Sequence, residues 1–353
     1  MVDGVTPVTG SDGGQGGIPA IVPNFYLIWN QSSDLKFGIG VNAPYGLKID
    51  YDTTWLGRYQ DITTALKTIN VNPSIAYRID SQWSVGGGFN IQYAEAKLAQ
   101  GIDFGSACVG ALGAGACGGL GLLPQMADGI GVFRGEDVSY GLNFGALYQW
   151  TPETRIGFHY RSKIEHEFDG KTEFGTPAAA AAITGGNTFI TTDSKAKLPI
   201  PASMSLSALH QMNDRWTVMG DLTHTRWNSF EEVRINFGTP QAPNVIPEYY
   251  NNVTRYALGT TYKWNSALKL RGGLAYDESP SSDRSPGVPD SDRYIVGVGF
   301  AYQYMPNIVI DVGYQHLFFK EGDSNRLSAT NSRLIGHYDI DVDVLAVGLT
   351  WTF

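Results

Sequence analysis

The chain lacks any apolar run approaching the roughly 18 residues a membrane helix requires, and its mean hydropathy of −0.15 is near neutral. Membrane-spanning helices are thereby excluded. Charge is scarce for 353 residues: Asp, Glu, Lys and Arg make up 17%, and 34 acids against 25 bases leave −9. That deficit of positive charge argues against a nucleic-acid partner. Phosphate loops, nucleotide fingerprints and metal-ligand spacings are missing, so neither cofactor nor metal is expected. His159, His224 and His316 stand in no spacing that would assemble a nucleophile with its base, which argues against catalysis. The only cysteines, Cys108 and Cys117, lie in one Gly-rich segment. They are a candidate disulfide, with two free small residues as the alternative.

What is present is an alternation. Leu345, Val347, Leu349 and Trp351 share one face, and Ala346, Gly348, Thr350 and Thr352 the other. The same period sets Val85, Phe89, Ile91 and Tyr93 against Ser84, Gly86, Gly88, Asn90 and Gln92. It recurs where Tyr140, Leu142 and Phe144 oppose Ser139, Gly141 and Asn143, and where Phe300 and Tyr302 oppose Gly299 and Ala301. A strand turns alternate side chains to opposite faces. One large apolar face and one small polar face suit a membrane barrel with lipid outside and a wet bore. Such strands need only about 9–11 residues, so they hide in a near-neutral average.

Short turns at 32–34, 80–82, 151–153, 213–214, 265–266 and 305–307 alternate with long connections at 48–64, 100–135, 171–190, 238–250, 279–292 and 320–337. Outer-membrane barrels show this asymmetry, with short periplasmic turns and long outer loops. Trp83, Trp150, Trp216, Trp264, Tyr304 and Phe353 all fall beside the short turns or the C-terminus, as an aromatic girdle requires. The strands number thirteen, whereas single-chain bacterial barrels have an even count. A first strand is therefore expected to be missing, and with it a signal peptide, since no basic and apolar leader opens the chain. Two unpaired edges in lipid are costly, so the first and last strands are expected to pair directly or the wall to misassemble.

Several blocks follow in order: Val22-Pro-Asn-Phe-Tyr26, Gly38-Ile-Gly-Val-Asn-Ala-Pro-Tyr-Gly46, Trp55-Leu-Gly-Arg-Tyr59, Tyr160-Arg-Ser-Lys163, Leu198-Pro-Ile-Pro201 and Tyr276-Asp-Glu-Ser-Pro280. Together they resemble the FadL/TodX family of outer-membrane transporters over essentially the whole chain. The resemblance implies one all-β domain over residues 1–353, an antiparallel transmembrane β-barrel. The family barrel has fourteen strands, about thirteen of them present here, and its N-terminal hatch with an Asn-Pro-Ala signature is absent. It also implies passive uptake of aromatic hydrocarbons or long-chain fatty acids across the outer membrane of a Gram-negative bacterium. The expected partners are hydrophobic small molecules, membrane lipid and lipopolysaccharide, and the expected state is monomeric. A nonspecific porin is the alternative, disfavoured by the apolar character of the long loops.

Apolar loops outside a barrel mark a capture surface. Val109, Leu112, Leu120, Leu122 and Leu123 on one loop and Ala180 on another are the candidates, and the resemblance places a groove between these loops. A lateral exit is expected at Asn42, Pro44, Tyr45, Gly46 and Leu47, because Pro removes a ladder donor and Gly lets the backbone bend. The family has a kink there. Asp277 matches an acid the family sets beside the kink, with Arg255 or Arg271 as its expected partner. Arg155, His159, Arg161 and Lys163 are expected to face the bore as structural charges. Fatty-acid members use basic residues to meet the ligand carboxylate. Here segment 239–254 has no Lys or Arg and the stretch after Tyr93 only Lys97, so the expectation leans to neutral hydrocarbons.

Overall fold

The computed structural model describes residues 7–281, 284–327 and 332–353. Its wall is one antiparallel meander. β1 (Phe25–Asn30) pairs with β2 (Leu35–Asn42), and β2, continued by β3 (Gly46–Asp50), pairs with β4 (Thr63–Arg78). β4 pairs with β5 (Trp83–Asp103), and β5 with β6 (Asp128–Thr151). The next four wall strands are each interrupted once. They are β7 (Thr154–Arg161) with β8 (Ile164–Gly175), β9 (Thr192–Ile200) with β10 (Ser203–Gln211), β11 (Trp216–Thr225) with β12 (Glu232–Phe237), and β13 (Asn244–Pro247) with β14 (Val253–Lys263). β15 (Leu268–Asp277), β16 (Arg293–Met305) and β17 (Ile308–Phe319) follow. A separate hairpin of β18 (Gly322–Leu327) and β19 (Arg333–Tyr338) precedes the last wall strand, β20 (Asp341–Trp351). Counted this way, the described wall has thirteen strands.

All six short turns stand where the sequence places them, and the long connections lie at the opposite end. The connection expected over 100–135 is shorter than that, because β5 runs on to Asp103 and β6 begins at Asp128. Direct pairing of the first and last strands is not formed among the described residues: β1 bonds only to β2, and β20 only to β17.

Phe89, Phe144, Phe300 and Trp351 all point outward and are exposed, as are the girdle residues Trp83, Trp150, Trp216, Trp264, Tyr304 and Phe353. An apolar belt of this extent has no place in water; it is the lipid face. β6 has 24 residues, roughly 80 Å at about 3.3 Å per residue. That is about twice what a tilted strand needs to cross a hydrocarbon core of about 30 Å. The wall therefore continues well beyond the membrane on the long-loop side. Arg161 is opposite Ser203, Ser203 opposite Thr225, and Thr225 opposite Val253. The four interruptions between β7 and β14 thus lie in register, as one seam between lower and upper wall.

The mouth is covered. The β18–β19 hairpin is tied to loop 51–62, where Gln60 Nε2 donates to the Arg326 and Ser332 carbonyls at 2.9 and 3.0 Å, and to Arg284, whose carbonyl accepts from Ser324 at 2.8 Å. Under this cover lies Asp61, 7% exposed. Its Oδ1 accepts from Thr64 at 2.8 Å, while Oδ2 is buried without a partner. Burial pushes the Asp61 carboxyl up to about 7, Thr64 opposes the shift, and Glu248 and Asp50 add to it.

Two outcomes follow from this architecture. Leu258→Arg, mid-strand on the lipid face, should cost about 2–4 kcal/mol in vesicle refolding titrations, while the bore-facing Thr261→Arg should cost far less. Equal costs would contradict the assigned faces. For Asp61 the folded value lies above the ordinary 3.8, so the fold favours the protonated acid. Stability of loop 51–62 should fall as pH rises from about 4 to about 7 and change little beyond. Hydrogen exchange of the loop against pH should show this, and Asp61→Asn should flatten the profile.

Candidate functional site

Above the seam the wall changes its chemistry. Glu165, Glu167, Asp169, Lys171 and Glu173 on β8 point outward, while Ile164, His166, Phe168 and Thr172 between them are buried. β6 and β9 do the same: Arg134 and Glu136 lie outside Phe133, and Lys195 and Lys197 outside Ala196. The outer charges pair across strands, Arg134 with Glu173 at 3.2 Å and Lys195 with Asp169 at 2.7 Å. Such exposed pairs contribute little energy, but they show a surface in water. Inside, Ala94, Ala96, Phe133, Phe168, Ala196 and Ile235 form one buried apolar cluster, joined by Leu66, Leu98 and Leu198. Gly135 makes room for it: a Cβ there would stand 2.8 Å from the Phe133 ring and 3.0 Å from Phe168 Cβ. The bore of the upper wall is therefore greasy, contrary to a bore lined with small and polar groups throughout. The signal was in the sequence, as acids and bases spaced two apart in 165–173.

Between this cluster and the lower bore lies a crossing. Asn42 is opposite Asn70 and Gly46 opposite Lys67, so residues 43–45 face only Thr68 and Ile69. One extra residue makes a bulge and flips the face, so that Asn42 and Leu47 both look inward. Pro44, without an N–H, suits the unpaired stretch. Tyr45 turns into the bore, its N–H donating to Thr68 Oγ1 at 3.1 Å and its carbonyl accepting from the same hydroxyl. Its ring meets Trp227 edge-on, 5.9 Å between centroids. Trp227 lies between β11 and β12, six wall strands away, so this contact spans the bore. Tyr250 and Phe230 extend the bar, with centroids 5.8 and 4.9 Å apart along the series. Below it the bore has a recess of about 530 Å³ that includes Leu147, Leu209 and Met219 beside Arg155 and Asp221.

Other expected residues are distributed unevenly. Cys108 and Cys117 are joined as a disulfide, with Cα atoms 5.9 Å apart. It lies within α1 (Phe104–Leu112) and α2 (Ala114–Gly119). Leu122 and Ala180 are buried with it in the contact between the two long loops, and Val109 packs against that core. Leu123 is half-buried, whereas Leu112 and Leu120 are exposed at 54% and 42%. Asp277 pairs with Arg293, not with Arg255 or Arg271; Arg293 is directly opposite it on β16, and Arg271 is engaged by Asp311 at 2.6 Å. Among the described residues no hydrogen bond, ion pair or ring contact joins Asp277 to Asn42, Pro44, Tyr45, Gly46 or Leu47. Lys163 faces outward and pairs with Glu165 at 2.6 Å. Its expected inward position fails because residues 162–168 oppose only six residues of β6, a second one-residue insertion that flips the face. Lys97 likewise occupies an outward position on β5.

The family model described as "Outer membrane protein transport protein (OMPP1/FadL/TodX)" matches residues 3–353. The long-chain fatty acid transport protein of Escherichia coli (strain K12) is 28% identical over 319 residues, 84% of this chain and 70% of that protein. The 47 kDa outer membrane protein of Pasteurella multocida is 31% identical over 330 residues, 90% and 76% of the two chains. Among solved structures, a Pseudomonas aeruginosa FadL homologue superposes with a TM-score of 0.89 at 26% identity, covering 99% of this chain and 82% of its own. The toluene transporter TodX of Pseudomonas putida shares the fold, with a TM-score of 0.67 at 19% identity over 96% of this chain and 84% of its own. The chain belongs to the FadL/TodX family of non-enzymatic transport proteins in the outer membrane of Gram-negative bacteria.

Proposed function

We propose that this barrel takes up hydrophobic compounds by capture at its loop tips, passage into the greasy upper bore, and lateral release at residues 43–45. One observation carries the reading: the wall is broken at the level where the bore is crossed. A ligand descending through the apolar cluster meets the Tyr45–Trp227 bar beside an interruption in the ladder. Going sideways keeps its apolar body out of water, and that body gains roughly 25 cal/mol for each Å² it hides. Continuing downward would return it to a wetter bore. Leu112 and Leu120 offer exposed apolar surface at the entry, held on loops braced by the Cys108–Cys117 disulfide. Relatives named for long-chain fatty acids and for toluene share this barrel, and the chemistry common to both ligands is an apolar body.

Deleting Ala43 tests the exit, because it removes the extra residue and lets Pro44 and Tyr45 match Thr68 and Ile69 one to one. In cells without their own uptake system, this deletion should abolish most uptake of labelled oleate and toluene while loop binding persists. Undiminished uptake would exclude a lateral route. Leu112→Asp combined with Leu120→Asp should weaken loop binding by about tenfold. Free passage of small hydrophilic solutes through the unaltered protein would instead favour a porin.

A further inference from the structure

Just below the apolar cluster the inner wall carries a patch of amides. Asn42 lies opposite Asn70, and Asn70 opposite Gln92, in one row across three strands beside the break at residues 43–45. Asn90 stands one inward position below Gln92, and Gln92 one below Ala94 of the cluster. Asn70, Asn90 and Gln92 point inward, since the alternate residues Ile69, Phe89 and Ile91 are exposed on the lipid face. The three amides are buried, at 1%, 1% and 0% exposure. Part of each braces the wall: Asn90 Oδ1 accepts from Asn70 Nδ2 at 3.1 Å and from Asn72 Nδ2 at 3.2 Å, and Gln92 Oε1 lies 3.0 Å from His166 Nε2. The remaining atoms, Asn70 Oδ1, Asn90 Nδ2 and Gln92 Nε2, are buried without a hydrogen-bond partner among the described residues. A half-satisfied buried network is costly, and bracing alone does not require three orphaned atoms in one patch.

We propose that this patch receives the hydroxyl group of an uncharged ligand whose apolar body lies in the upper bore. The inference rests on the uptake reading above and adds a ligand class to it: neutral hydroxyl compounds such as long-chain alcohols. A hydroxyl gives one hydrogen and accepts two. The patch offers the complement, because Asn70 Oδ1 accepts while Asn90 Nδ2 and Gln92 Nε2 donate. A hydrocarbon supplies neither and leaves all three unpaired. A site built for a hydroxyl rejects the analogue that lacks it, since its own buried polar groups then go unsatisfied. The patch also adjoins the exit of the uptake reading: Asn70 is two residues from Thr68, whose hydroxyl holds Tyr45. A ligand so held has its head beside residues 43–45 and its apolar body toward Ala94 and Phe168.

Equilibrium binding of 1-dodecanol and of dodecane to the purified full chain, read by tryptophan fluorescence, compares one apolar body with and without the hydroxyl. Gln92→Met, close in shape and lacking the amide, should weaken dodecanol by about tenfold and leave dodecane within about twofold. Asn90→Leu should act in the same direction, although it also removes the acceptor for Asn70 and Asn72. Retained dodecane binding reports that a variant is folded, and where one variant loses it the other decides. Unchanged dodecanol affinity, the result expected if the amides hold water only, overturns the hydroxyl site. Equal losses for both ligands in both variants overturn it as well, and either result leaves the uptake reading standing. If the unaltered protein binds neither ligand, the uptake reading itself fails and takes this inference with it.

Discussion

Everything in this molecule depends on the need to pair backbone N–H and C=O groups where no water can reach them. In hydrocarbon an unpaired group costs several kcal/mol, so the chain crosses only as laddered strands. The ladder fixes the alternation of faces, and that alternation makes the outside greasy from Trp83 to Trp351. Between paired wall strands the ladder departs from regularity at residues 43–45 and at the seam, while the outer edges of β1 and β20 carry no ladder partner among the described residues. At the first of these the Thr68 hydroxyl takes up the N–H and the carbonyl of Tyr45. At the seam, four neighbouring strands are interrupted in register.

A second consequence concerns the phase of the pattern. Below the seam the solvent outside is lipid and the bore is wet; above it water lies outside, and the apolar side chains turn inward. A strand that continues through both regions must either shift its face or change its residue types. This chain does both. β5 and β6 pass through without interruption and exchange Phe89 and Phe144 outside for Glu95 and Arg134 outside. The strand formed by β7 and β8 inserts one residue and flips. The outcome is an apolar interior with water outside it, set above a polar tube in oil, with a bulge in the wall at the junction.

Much of this was legible in the sequence, and the failures have physical causes. The lipid-facing strands, the six short turns and the girdle could be read because hydrocarbon imposes one strict period and tolerates few exceptions. The upper interior was hidden for two reasons: Phe133 falls in the stretch 100–135 read as a connection, although it keeps the inward phase of β6, and Phe168 changes face only once the insertion between Arg161 and Asp169 is located. The same insertion misplaced Lys163. Asp277 found Arg293 because that partner lies across a ladder whose register depends on the length of a long loop, and sequence alone does not set that register. In the loops, composition marked an apolar surface but not its direction: Leu122 and Ala180 are hidden within the contact, and Leu112 and Leu120 face out.

The relative strengths of these contacts decide what can move. An edge-on pair of aromatic rings is worth about 0.5–1.5 kcal/mol beyond its buried area, so the Tyr45–Trp227 contact is weak compared with the ladders on either side. β5 and β6 are bonded along 21 matched positions, and those within the hydrocarbon cannot open without exposing backbone. Motion at the junction is therefore expected in side chains rather than in strands. Tyr45 itself lies outside the ladder, its N–H and carbonyl both bonded to the Thr68 hydroxyl. The same stretch of chain supplies the weak bar and the gap beside it, because one inserted residue both removes Tyr45 from the ladder and turns it inward.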